Sequence, residues 1–349
     1  MTKKFLAVVG IAAAVGLIIT FVGFAMVGFD LEKLDMDEEY TQKVYTTSAN
    51  KASAIKINID TMKVKVCQRE DDSNDIRITY YENNKRKPTV NNEDGTVILN
   101  DIKGFNNFFV TDGIFSGLKR SRLETVVEIP KNSKSLRISV NNSNAAICAE
   151  NLTADNISLN TSNAAISVSG KFENEVYCET SNSSIKSKNI NANSITFNTS
   201  NGYCEAENVE SNAFNVNTSN SGINITNINS SVVRLETSNG YIKLGDTVAN
   251  ISLYAKTSNG NISTKGIDSN RIELYTSNGS INSTIVGKEK NFKIDSGTSN
   301  GNNNIAGRGD DSADKSLSAY TSNGNINIGF DDEYTASKGL SAILQADNQ

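Results

Sequence analysis

The chain has 349 residues, with 34 Lys and Arg against 39 Asp and Glu, a net charge of −5, no His, no Trp, 2 Pro and 4 Cys. The lack of His excludes Ser-His-Asp and Cys-His hydrolases and every His-ligated metal site. A mildly acidic chain with scattered Lys and Arg also lacks the basic footprint of a nucleic-acid binder, so no nucleic-acid partner is expected.

Lys3 and Lys4 precede an uncharged apolar run from Phe5 to Phe29. At about 1.5 Å per residue this run is long enough to cross a hydrocarbon core of about 30 Å. Six acidic residues follow (Asp30, Glu32, Asp35, Asp37, Glu38 and Glu39) against Lys33. Positive charge stays cytoplasmic, so residues 1–29 read as a single-pass transmembrane helix in the cell membrane. Its N-terminus is expected in the cytoplasm and the C-terminal domain outside it. The run exceeds a usual leader core and Ala25 to Gly28 offers only a weak cleavage pattern, so an uncleaved anchor is preferred to a cleaved leader.

Residues 30–50 read as a polar stalk, and residues 51–140 as an irregular β cap. Ala54 to Asp60, Met62 to Cys67 and Ile76 to Tyr80 alternate apolar and polar, and Asn92-Glu93-Asp94-Gly95 signals a turn before Thr96-Val97-Ile98-Leu99. Such strands would cover the first open edge of the repeats that follow. An aromatic and basic cluster interrupts them. Phe108, Phe109, Phe115, Lys119, Arg120 and Arg122 form either a contact surface for lipid headgroups or a partner, or a loop folding its Phe residues over the end of the column.

Residues 141–349 are governed by a repeat, and a fixed period dictates the fold. Thr-Ser-Asn begins at Thr161, Thr180, Thr199, Thr218, Thr237, Thr257, Thr276, Thr298 and Thr321, with a degenerate copy at Asn142; the spacings are 19 five times, then 20, 19, 22 and 23. Apolar residues recur five and seven after each Thr (Ile185, Ile223 and Ile242; Ala206, Ile225 and Leu244), four and two before it (Ile195, Phe214 and Val233; Phe197, Val216 and Leu235), and often ten after it (Ile190, Val209, Ile228, Val286). This alternation is a strand signature. One unit cannot bury these residues, but stacked units about 4.8 Å apart can. The expected fold is all-β, a β-solenoid (parallel β-helix) of about ten coils. Thr-Ser-Asn-Gly marks its main corner, where Asn and Gly would supply left-handed backbone. The residues of that corner row, Asn142 and the nine Thr, are expected to be structural, with Asn side chains laddering from coil to coil. An ice- or glycan-binding array is the functional alternative.

The other motifs carry less chemistry. Cys178 and Cys204 fall at inward positions taken to be two coils apart, and Cys148 points out, so core or incidental thiols are favoured over disulfides. Arg308-Gly309-Asp310 and Asp331-Asp332-Glu333 read as solvated loops rather than an integrin triplet or a Ca²⁺ loop, because the EF-hand spacing is absent. No catalytic, cofactor-binding or metal-ligating residue is expected.

Val126-Val127-Glu128-Ile129-Pro130-Lys131, then Leu136-Arg137-Ile138-Ser139-Val140, lead into the Ser-Asn coils. This pattern resembles the bacterial putative-adhesin family of β-strand-repeat envelope proteins, a domain of unknown function, over roughly residues 50 to 330. Members show Ser/Thr-Gly-Asp/Asn at the corner, where this chain has Thr-Ser-Asn-Gly. The resemblance implies an envelope location and, in some members, an envelope-stress context; it carries over no catalytic residues. The expected function is a non-catalytic, membrane-anchored surface module for binding or scaffolding, in adhesion or envelope-stress response, with a glycan or envelope protein as partner. The alternative is an extracellular carbohydrate-active enzyme, a lyase or hydrolase, on a β-helix scaffold.

Overall fold

Alternating β-branched residues favour strands, and the 19-residue period makes each strand pair with its own repeat rather than with its chain neighbour. The computed structural model describes residues 39–84, 86–101, 123–131 and 133–334, together with Phe21, Val22 and Ala25. From Thr41 to Asp331 the described residues form a solenoid whose strands belong to one 22-stranded sheet. In the regular middle, four long strands each bend around the column: β13 (Ile185–Thr199), β14 (Cys204–Asn217), β15 (Ile223–Glu236) and β16 (Ile242–Lys256). Each is parallel to the next in a register of one repeat, so that Ile185, Cys204, Ile223, Ile242 and Ile262 superpose along the axis.

The inward positions read from the sequence fill the core. Ile195, Phe197, Phe214, Val216, Val233 and Leu235 are fully buried. Phe197 and Phe214 meet edge to face with ring centroids 5.8 Å apart. Burial of each such side chain contributes about 1.5–3 kcal/mol. One inward assignment is corrected. Val286 is only half-buried, because Ile285 pairs with Ile267 across a register shift and takes the inward slot. The Thr276 coil is one residue short at that bend.

The column begins earlier than the boundary drawn at residue 141. Strand β2 (Ala54–Ile59) pairs parallel with β8 (Arg137–Asn141), and β3 (Lys63–Gln68) with β9 (Ile147–Ala154), so residues 54–68 form a full coil. The sequence placed these strands as an irregular cover; they are coils because their inward Ile55, Ile57, Val64 and Val66 fill the same columns. Strands β6 (Thr96–Asp101) and β7 (Glu124–Ile129) lie parallel outside them as a further coil. Part of the expected stalk is also a strand. β1 (Thr41–Ser48) pairs antiparallel with β4 (Asp75–Glu82), which pairs antiparallel with β7, and β5 (Thr89–Glu93) pairs antiparallel with β6. These three strands cover the N-terminal end.

The coils at both ends are out of chain order. The β2–β3 coil sits between β8–β9 and the later β6–β7. At the other end, β21 (Lys315–Thr321) and β22 (Ile326–Asp331) pair with β18 (Arg271–Tyr275) and β19 (Ile281–Val286), while β20 (Phe292–Thr298) pairs with the far side of β21. The Thr321 unit is thus interleaved between the Thr276 and Thr298 units. No helix among the described residues is long and apolar enough to cross a membrane, and the expected anchor at 1–29 lies outside the described residues apart from Phe21, Val22 and Ala25.

Candidate functional site

The corner row is a working hydrogen-bond array. The Thr hydroxyls at 180, 199, 218, 237 and 276 each donate to a carbonyl 16 residues back in the neighbouring coil, as in Thr218 Oγ1 to Gly202 O at 2.9 Å. Thr257 Oγ1 reaches Gly240 O at 2.8 Å, Thr298 reaches Gly324 O at 2.8 Å and Thr321 reaches Gly279 O at 2.8 Å. The same oxygens accept within their own coil, from Gly240 N to Thr237 Oγ1 at 3.2 Å and from Gly202 N to Thr199 Oγ1 at 3.1 Å. Asn142 does both tasks with an amide: its Nδ2 donates to Met62 O at 2.8 Å, and its Oδ1 accepts from Ala145 N at 3.0 Å. Thr161 Oγ1 is buried without a hydrogen-bond partner.

Two residues beyond each Thr, the exposed Asn amides form a second row. Asn163 donates to Asn144 at 2.8 Å, Asn182 to Asn163 at 2.7 Å, Asn201 to Asn182 at 2.8 Å and Asn220 to Asn201 at 2.7 Å. The row continues through Asn239, Asn259 and Asn278 to Asn323, and ends with Asn300 donating to Asn323 at 2.7 Å. The ladder follows the interleaved spatial order of the coils, not the chain order.

The left-handed backbone lies elsewhere. Positive φ falls nine residues after the corner, at Asn151 (55°), Asn189 (54°), Asn208 (57°), Asn227 (58°) and Asp246 (44°), with Gly170 and Gly266 in the same row. Asn is among the few side-chain-bearing residues that adopt this conformation readily, and Asn227 to Asn208 and Asn208 to Asn189 are laddered at 2.6 Å. At the Thr-Ser-Asn-Gly corner the glycine serves close approach instead: a Cβ on Gly202 would lie 1.6 Å from Ser183 O.

The outer face after the corner carries opposite charges one coil apart, with Lys186 and Glu205 at 3.4 Å and Lys188 and Glu207 at 3.2 Å. Exposed pairs of this kind contribute little stability but hold side chains in rows. Arg308 and Asp310 are both engaged. The Arg308 guanidinium meets the Glu289 carboxylate, its Nε at 2.9 Å from Oε1, and Asp310 accepts from Ser312 N at 2.9 Å and Ser312 Oγ at 2.6 Å. Gly309 bridges antiparallel to Lys293, so the triplet closes the outer edge of β20. Asp331 Oδ1 accepts from Tyr334 N at 3.0 Å, and Asp332 pairs with Lys288 at 3.1 Å. Among the described residues no three His, Cys, Asp or Glu side chains converge as a metal set would.

All four cysteines are free thiols. Cys178 pairs in register with Phe197, and Cys204 with Ile185, so the two cysteines lie on strands that flank opposite sides of β13. Burial pushes the Cys178 thiol well above its ordinary value and raises Cys204 to about 12. Half-buried Cys148 is raised to about 11 by burial, with Glu150 adding to it. Phe108, Phe109, Phe115, Lys119, Arg120 and Arg122 lie outside the described residues.

The laddered column with a Thr-Asn corner defines a β-strand-repeat solenoid. The chain belongs to the Toastrack DUF4097 family, whose profile matches residues 54–329. The resemblance read from Val126 to Val140 and the coil rhythm therefore stands. Two solved structures are similar. One is described as a putative cell adhesion protein from Clostridium sporogenes, with 12% identity, 84% of this chain and 100% of that chain covered, and a TM-score of 0.18. The other is described as a putative adhesin from Bacteroides fragilis, with 13% identity, 84% and 98% covered, and a TM-score of 0.30. No curated protein matches the chain.

Proposed function

We propose that this protein is a non-catalytic, membrane-anchored module of the bacterial cell envelope that displays a rigid binding or scaffolding surface, in adhesion or envelope-stress sensing. The observation that carries this reading is the corner array, in which the Asn row is continuous from Asn144 to Asn300 and the Thr row is interrupted at Thr161. Its Thr and Asn side chains tie neighbouring coils together, and rows of outward side chains stand at a fixed pitch on the resulting column. Preorganised rows bind without a large ordering cost. The lysines and apolar run of residues 3–29 support a single span with the cytoplasm at the N-terminus and the solenoid outside.

Two measurements test this. In intact cells, added protease should degrade the solenoid, and deletion of residues 1–29 should release the chain from the membrane fraction. Crosslinking in the same cells should capture a surface partner. A protected solenoid, or crosslinking that captures nothing, overturns the reading.

A further inference from the structure

The second side of the column carries a feature that the corner ladder does not use. Eleven to thirteen residues after the corner Thr, the chain makes another bend, and its side chains border an open, shallow trough of about 660 Å³ running from Thr153 to Asn250. It spans six successive coils, about 24 Å at a spacing of about 4.8 Å. The concavity has a compositional cause. The middle position of the bend is small in consecutive coils (Ala192, Ser211, Ser230), while the positions on either side carry Asn191, Glu210 and Asn229 on one wall and Asn193 and Asn212 on the other.

The walls are held in place along the axis. Asn191 Nδ2 donates to Glu210 Oε2 at 2.7 Å, Asn212 Nδ2 donates to Asn193 Oδ1 at 2.6 Å, and Ser211 and Ser230 share a hydrogen bond at 3.0 Å across the floor. A side-chain amide offers two donors and two acceptor lone pairs, so each rung retains donor and acceptor capacity. Charge along the trough is balanced, Lys134 and Lys171 standing against Glu173 and Glu210.

We infer that this trough binds a neutral, hydroxyl-rich glycan chain lying parallel to the solenoid axis. The inference rests on the surface-module reading and deepens it by naming a ligand class and its site. Each sugar hydroxyl both donates and accepts, which matches amide walls that repeat coil by coil. Balanced charge selects against polyanions and polycations. A peptide strand would need a free sheet edge for main-chain pairing, but the backbones at this bend are paired coil to coil, Asn191 with Glu210 and Glu210 with Asn229.

The test is calorimetric titration of the full chain in detergent micelles with dextran, mannan and chitin oligosaccharides. Polygalacturonate and an extended neutral peptide serve as counter-probes. Ser211→Trp fills the trough and the Asn193→Ala/Asn212→Ala pair strips a wall; Asn220→Ala in the corner ladder is the control, and thermal melts verify folding of each. If Ser211→Trp does not fold, the double alanine variant decides. At least one neutral glycan should bind, with affinity reduced tenfold or more in the trough variants and unchanged in Asn220→Ala. Binding of none of the three glycans, equal binding by the trough variants, or preference for either counter-probe overturns the assignment. Partner capture in intact cells, read separately, shows whether the broader surface-module reading falls with it.

Discussion

At the scale of single residues, the Thr218 hydroxyl donates to Gly202 O of the neighbouring coil, which makes its removal diagnostic. Thr218→Val keeps the shape but takes the donor from Gly202 O, and unpairing a buried carbonyl costs about 1–3 kcal/mol. Urea unfolding should show a lower midpoint for Thr218→Val and a near-parental one for Thr218→Ser; equal midpoints for Val and parent would contradict the array. The buried thiols give a second residue-scale prediction. The thiolate is the reactive form, and burial raises Cys204 to about 12 and Cys178 beyond its usual range in the same direction. In native protein at pH 8, Ellman's reagent should leave both unlabelled until denaturant is added. The linkage sign follows. A thiol whose folded pKa is raised contributes stability below its unfolded value near 9, and that contribution is lost as pH rises from there towards 12. The Cys178→Ala/Cys204→Ala variant should therefore lose less stability than the parent between pH 9 and 11.

At the scale of elements, each coil is two runs of inward side chains joined by bends of different character. The corner bend depends on Thr hydroxyls and on close backbone approach at glycine, whereas the bend nine residues later depends on left-handed Asn. Asn208→Val places a β-branched residue at φ 57° and breaks the rung to Asn189. It should cost about 1–2 kcal/mol for the backbone alone, with Asn208→Gly milder because glycine accepts the conformation; chemical denaturation of the pair separates backbone from ladder. These elements also show what the sequence could reveal. The Ile columns were legible because period-two alternation inside a 19-residue repeat leaves one consistent inward set. The left-handed row was present as Asn, Gly or Asp nine residues after the corner, but this chain has Asn at many outward positions, so that row did not stand out from the others. The displaced Val286 was hidden because a one-residue deletion in a bend shows only when the coil is paired with its neighbours. The trough needed the same information: Ala192, Ser211 and Ser230 are unremarkable small residues until three bends are superposed.

At the scale of the whole molecule, the ends are where the repeat model alone fails. Identical slots attract any unit of the right rhythm, so sequence order does not dictate spatial order when a connection is long enough to step over one place. The insertion between Val286 and Lys315 allows that step, and β20 with its folded-back Arg308-Gly309-Asp310 loop becomes the terminal cover. In a column whose stability is a sum of nearest-neighbour interfaces, the interleaved Thr321 unit supports the Thr298 unit, not the reverse. Two truncations separate these dependencies. Ending the chain after Asp314 removes β21 and β22, leaves β20 without its parallel partner and bares the edge of β18 and β19. Residues 287–314 should then exchange their amide hydrogens like unfolded chain, and the protein should self-associate through the open edge. Deleting residues 288–314 instead removes only the terminal cover. It brings Thr321 to 18 residues after Thr276, one short of the repeat, the same single residue by which that coil already lacks its left-handed bend. The shortened chain should fold with β18–β21 and β19–β22 paired as before and with amide protection intact through Asp331. Equal loss of protection in the two variants would show that the terminal coils are held by chain order after all.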